Sequence, residues 1–109
     1  MSFGQCPTDS LILNTQAVVD NFVINYPNCT MLTEQVIIDG GFTEITNLNG
    51  LSDITHAEVL YIQRTQIVDL AGLENLESAV HLAIGSNPDM TTLNGLGGLQ
   101  TVGSIIFFQ

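Results

Sequence analysis

The chain has 109 residues, which at about 100–200 residues per domain is one domain or a piece of a longer array. Eleven acidic residues stand against a single arginine, Arg64, giving a formal net charge of −10. One cation cannot neutralise a run of phosphates, so the balance argues against nucleic acids, nucleotide phosphates and anionic lipid surfaces as partners.

No apolar run approaches the ~20 residues of a membrane-spanning helix, so no membrane insertion is expected. Only 11% of residues are charged, so the acidity reflects missing cations more than abundant carboxylates. The surface is therefore expected to be rich in Thr, Asn, Ser, Gln and Gly.

The opening Met1-Ser2-Phe3-Gly4-Gln5-Cys6 reads as the tail of a secretion signal, or else as an initiator methionine on a trimmed chain. Cys6 and Cys29 make an even count near one end, which suggests a disulfide in an oxidising compartment; a buried pair of free thiols is the alternative. If formed, the bridge stabilises the fold by roughly 3 kcal/mol in the chain-entropy model. Asp9-Ser10-Leu11 has the form of a short O-glycosylation motif at Ser10. Asn28-Cys29-Thr30 fits the N-glycan acceptor pattern at Asn28, although a bridged Cys29 argues against its use.

Between these signals, Thr15 is placed to cap a short helix over 15–26. Val19, Phe22, Val23 and Tyr26 would form its apolar face, and Pro27 would end it. We divide the chain into an N-terminal cap segment, 1–34, and a repetitive part, 35–109.

The repeat is visible in register. Leu48-Asn49-Gly50-Leu51-Ser52-Asp53-Ile54 corresponds to Leu70-Ala71-Gly72-Leu73-Glu74-Asn75-Leu76 and to Leu93-Asn94-Gly95-Leu96-Gly97-Gly98-Leu99. Ala57, Ala79 and Val102 follow, then the alternating segments Leu60-Tyr61-Ile62, Leu82-Ala83-Ile84 and Ile105-Ile106-Phe107, with an earlier copy at Val36-Ile37-Ile38. A period of 22–24 residues is too short for a strand, a full helix and two ordinary loops, but suffices for one rung of a coil.

Inward ladders are predicted at Val36, Leu60, Leu82 and Ile105, and at Ile38, Ile62, Ile84 and Phe107, about 4.8 Å apart per rung. Gly50, Gly72 and Gly95 recur where a positive φ or a close backbone approach is needed. The chain closes at Ser104-Ile105-Ile106-Phe107-Phe108-Gln109 directly after the fourth strand, so further rungs or a docked partner are expected at that end.

These residues resemble leucine-rich-repeat proteins, more narrowly those similar to the receptor L domain and common among secreted bacterial surface proteins. The best-matching stretch runs from Gly72-Leu73-Glu74-Asn75-Leu76 through His81-Leu82-Ala83-Ile84-Gly85-Ser86-Asn87. The resemblance implies an α/β fold: a right-handed solenoid with a parallel sheet of about four rungs and a helical, cysteine-bonded N-terminal cap. The asparagine that follows the strand in that pattern occurs here only as Asn87.

Catalytic signals are missing: there is no nucleophile elbow, metalloprotease His pair, phosphate loop or Cys-x-x-Cys. His56 and His81 occupy different rung positions. The loop carboxylates Asp39, Glu44, Asp69 and Asp89, with Arg64, could be invoked for a polysaccharide lyase, but they too fall at unrelated positions. No enzyme activity, cofactor or metal is expected.

Side-chain alternation turns Ile37, Tyr61, Ala83 and Ile106 outward, with Asp39, Gln63, Gly85 and Phe108 in a neighbouring column. An apolar outward column marks a contact surface or is filled by β-propensity alone. Tyr61 and Phe108 are the expected anchors. The expected role is a non-catalytic, extracellular or cell-surface interaction module for a protein or glycan. The alternative is a structural subunit that stacks end to end on copies of itself.

Overall fold

The computed structural model describes residues 6–108; the signal-like start at 1–5 and Gln109 lie outside the described residues. The architecture is a small α/β fold with one five-stranded, all-parallel sheet in the order β1-β2-β3-β4-β5. The strands are β1 (Leu11–Leu13), β2 (Met31–Asp39), β3 (His56–Gln63), β4 (Ser78–Gly85) and β5 (Thr101–Phe108). Two short helices, α1 (Gln16–Asp20) and α2 (Phe22–Asn25), separate β1 from β2.

Every strand pairs with its neighbour in sequence, and the register follows the sequence repeat. Val36 pairs with Leu60, Leu60 with Leu82, and Leu82 with Ile105; Ile38, Ile62, Ile84 and Phe107 form the second ladder. One strand was not anticipated. Leu11, Ile12 and Leu13 extend both ladders by pairing with Val36, Ile37 and Ile38, so the sheet has five strands rather than four. The boundary placed at 34/35 falls inside β2.

The core is a single apolar cluster beneath the sheet. Leu60, Ile62, Leu82 and Ile84 point into it from above, while Leu48, Leu51, Ile54, Leu70, Leu73 and Leu76 close it from the returning segments. Those segments, 40–55, 64–77 and 86–100, carry no helix beyond a single 3-10 turn at Asn49–Leu51. Backbone hydrogen bonds tie them to one another instead. The N–H of Gln66 donates to the Ile45 carbonyl (2.7 Å), that of Glu77 to Thr55 (2.7 Å) and that of Gln100 to Glu77 (2.8 Å).

The recurring glycines sit where these segments touch. A Cβ on Gly72 would collide with the Leu48 carbonyl, one on Gly95 with the Leu70 carbonyl, and one on Gly50 with the Val19 carbonyl. Gly72 and Gly95 also have φ of +108° and +113°, which a side chain rarely tolerates.

The N-terminal segment covers the first repeat. Thr15 caps α1 as expected, its hydroxyl accepting from the Val18 N–H (3.1 Å). The helix is not continuous to residue 26: Asn21, at φ −86° and ψ 1°, ends α1 and starts α2. The break rotates the second piece, so Val23 is exposed while Val18, Val19, Phe22 and Tyr26 meet the core. The Phe22 and Tyr26 rings pack in a tilted arrangement with centroids 5.1 Å apart.

The Gln16 carboxamide ties this cap to the first returning segment. Its oxygen accepts from the N–H groups of Thr46 (2.7 Å) and Asn47 (3.1 Å), and its nitrogen donates to the Asn47 carbonyl (3.2 Å). Cys6 and Cys29 are joined as a disulfide with Cα atoms 4.9 Å apart, which points to an oxidising environment. No helix among the described residues is long and apolar enough to cross a membrane.

The glycine contacts give a sharp stability test. Gly72→Ala adds a backbone clash to a left-handed φ, and urea unfolding should show a loss of about 2–4 kcal/mol. Gly97, around which a Cβ would meet nothing within 4 Å, should accept alanine with a change within about 0.5 kcal/mol. Equal effects at the two positions would contradict the close-approach explanation.

Candidate functional site: the outward face of the sheet

Side chains that do not enter the core stand on the other face of the sheet. The central column there runs Ile12, Ile37, Tyr61, Ala83 and Ile106 in continuous register. Ile12 and Ile106 at its ends are exposed, and Ile37 and Tyr61 are half-buried. Ala83 is only 5% exposed, because its short side chain lies between the larger Tyr61 and Ile106. It contributes shape to the column and little contact area. Ile12 was missed in the sequence because Leu11-Ile12-Leu13 is a very short apolar run. The available signal was its spacing from Val36, close to the repeat period.

A column on one side contains Gln35, Val59, His81 and Ser104. His81 Nδ1 and Ser104 Oγ are 2.7 Å apart, so this histidine is engaged with its neighbour on the next strand. His56 lies elsewhere, with its Nδ1 2.8 Å from the Thr55 hydroxyl. On the other side, Asp39, Gln63, Gly85 and Phe108 stand in register; the Phe108 side chain lies outside the described part of the structure.

The Asp39 end of that column is the most polar part of the face. The Arg64 guanidinium grips the Asp39 carboxylate through two atoms, Nε donating to Oδ1 (2.8 Å) and Nη2 to Oδ2 (2.5 Å). Gln63 Nε2 donates to the same carboxylate (3.1 Å), as does the Gly41 N–H (3.1 Å). The Arg64 hydrogen bonds, chiefly, hold the Asp39 carboxyl below its ordinary value of 3.8, against a smaller opposing effect of burial. Arg64 is raised in turn by Asp39. The guanidinium also lies 5.9 Å from the Phe42 ring centroid, within cation–π range. The pair links residues 25 apart in sequence, which no local motif could reveal.

The remaining loop carboxylates do not gather around it as a catalytic group. Glu44 lies near the pair, whereas Asp69 accepts from the Ala71 N–H (3.0 Å) in a separate turn. No group of three or more His, Cys, Asp or Glu side chains suited to a metal occurs among the described residues.

Asn87 has a structural task. Its Oδ1 accepts from the Thr65 N–H (3.1 Å) and hydroxyl (2.7 Å), while Nδ2 donates to the Ile62 carbonyl (3.2 Å). Thr65 is fully buried, and these bonds meet its polar groups. Ser10 and Asn28, the two modification candidates, are both exposed; Asn28 sits at φ 66° beside the disulfide.

Compared with known proteins, the chain matches no family model, and no curated protein or solved structure gives a significant match. The functional reading therefore rests on this face alone.

The Asp39 interactions predict a pH dependence. Its pKa is lower folded than unfolded, so its contribution to stability is complete above the ordinary carboxylate value and is lost as pH falls through the depressed one. Asp39→Asn should therefore unfold more readily than the unaltered chain at neutral pH, with the gap closing under acid in a urea series at stepped pH. A gap independent of pH would contradict the ion pair.

Proposed function

We propose that the chain is a leucine-rich-repeat solenoid similar to the receptor L domain, serving as a non-catalytic interaction module on or outside the cell. The carrying observation is the outward column Ile12-Ile37-Tyr61-Ala83-Ile106, apolar in every strand and in continuous register across the sheet. Solvated sheet faces alternate toward polar residues, and a continuous apolar stripe beside Gln35, His81 and Ser104 on one side and Asp39 and Gln63 on the other has the anatomy of a contact surface. The disulfide supports an extracellular setting. The partner is a protein or glycan presented at a cell surface, with Tyr61 as the central anchor.

The test is binding of the labelled chain to arrays of extracellular proteins and glycans. Tyr61→Asp should weaken binding by about 2 kcal/mol, some thirtyfold, with the far-ultraviolet circular dichroism unchanged. Binding equal to that of the unaltered chain would defeat the proposal.

A second reading, end-to-end stacking into a filament or layer, is favoured by a different observation. Positions buried in earlier repeats become open in the last one. Leu93 is 44% exposed where Leu70 is 0%, Val102 38% where Ala79 is 4%, and Ile105 38% where Leu82 is 1%. β5, beside them, is the outermost strand of the described sheet, and such an edge can accept another parallel strand. In light scattering, the apparent mass should rise with concentration and Ile105→Glu should abolish the rise. A monomer at all concentrations would contradict stacking.

A further inference from the structure

The loop that follows the strand differs in length from repeat to repeat. Ile38, Ile62 and Ile84 share a register, but the next core-facing apolar side chain comes seven residues later at Ile45, five later at Ile67 and six later at the partly buried Met90. The longest of the three loops follows β2, and β2 itself holds a further extra residue at a bulge between Leu32 and Gln35. In repeat proteins, insertions map to loops on one face, often the binding face.

This loop is built rather than slack. The Asp39 carboxylate accepts from the Gly41 N–H, the Phe42 N–H donates to the Arg64 carbonyl (2.6 Å), and the Glu44 N–H donates to the Gly40 carbonyl (3.0 Å). Among the described residues, two of the four non-glycine residues with positive φ, Phe42 and Arg64, are here. The loop walls an open depression of about 330 Å³, lined by Ile12, Asn14, Asp39, Thr43, Glu44 and Arg64 among others. Ile12, the first residue of the apolar outward column, is thus part of its lining.

We infer that this depression binds one neutral saccharide unit, the end residue of a glycan lying on the sheet face; the inference rests on the interaction role proposed above. Its volume is at the lower end of the roughly 300–1,000 Å³ of small-ligand sites, suited to a single ring. The lining mixes acceptors and donors as sugar hydroxyls require. The Glu44 carboxylate accepts, the Asn14 amide and Thr43 hydroxyl do both, and Arg64 retains Nη1 donors beyond the two bonds to Asp39. Ile12 offers an exposed aliphatic surface to the C–H face of a ring.

The charges select against anionic ligands. Two carboxylates outnumber the one guanidinium, in a chain of net charge −10, so an anionic sugar meets repulsion. Asp39 is already committed to Arg64, which leaves a cationic sugar one carboxylate beside the only fixed positive charge of the chain.

The test is saturation-transfer NMR titration of the whole chain with neutral methyl glycosides of glucose, galactose, mannose and N-acetylglucosamine, with methyl glucuronide and glucosamine as anionic and cationic controls. Saturable binding of at least one neutral glycoside is expected, at least tenfold tighter than the anionic control and no weaker than the cationic one. The double variant N14A/E44A, both positions being exposed, should keep its circular dichroism and weaken binding at least tenfold. Tyr61→Asp should change it less than twofold, since Tyr61 lies outside the depression. No binding by any neutral glycoside, preference for an ionic one, unchanged binding in N14A/E44A, or loss in Tyr61→Asp would each overturn the inference. Failure of the sheet-face proposal is read separately, from array binding of Tyr61→Asp.

Discussion

Parallel pairing of like positions, Val36 on Leu60 on Leu82 on Ile105 and Ile38 on Ile62 on Ile84, is the constraint from which the other features follow. Because side chains alternate with a period of two, a slip of one residue in any strand would drive its core residues to the surface and its outward residues into the core. The returning segments lock the register from below. Gly72 and Gly95 allow one segment to rest against the carbonyl of the one before, and the interstrand hydrogen bonds are continued by those between loops. Asn87 adds a side-chain brace between neighbouring returns through buried Thr65.

The same register creates the outward face. Stacking like positions inward necessarily stacks like positions outward, so a few residue choices per repeat are read out as columns. Here the central column is apolar throughout, and the columns beside it are mixed, with Gln35, His81, Ser104, Asp39 and Gln63 standing in register with Val59 and Phe108. Acidic residues are scattered over strands, helix and loops; the chain's one arginine is spent locally, pinning Asp39. The charge is thus spread over the surface, and in the function proposed above recognition falls to the outward column and the loop that borders it.

Much of this was legible because repetition amplifies weak signals. A single Leu-x-Ile segment is ambiguous, but the same alternation recurring with glycine and leucine at matching offsets predicts strand, register and close approach together. The pairing of Cys6 with Cys29 and the Thr15 cap were readable for the same kind of reason, residue type at a suitable place. What escaped was either too short or too distant. Leu11–Leu13 forms a strand only because β2 offers it an edge. The helix break at Asn21 follows from fitting Phe22 and Tyr26 onto the core rather than from local propensity. The Asp39–Arg64 pair and the Gln16 brace join residues far apart in sequence, and only the stacking of repeats brings them together.

The register is most directly tested by interstrand nuclear Overhauser effects across β2, β3 and β4. The account predicts backbone contacts of the parallel type that place Ile37 beside Tyr61 and Tyr61 beside Ala83, with Leu60 and Ile62 protected from solvent. Contacts that place Tyr61 opposite Ile38 or Leu82, or the short Hα–Hα contacts of antiparallel strands, would contradict it.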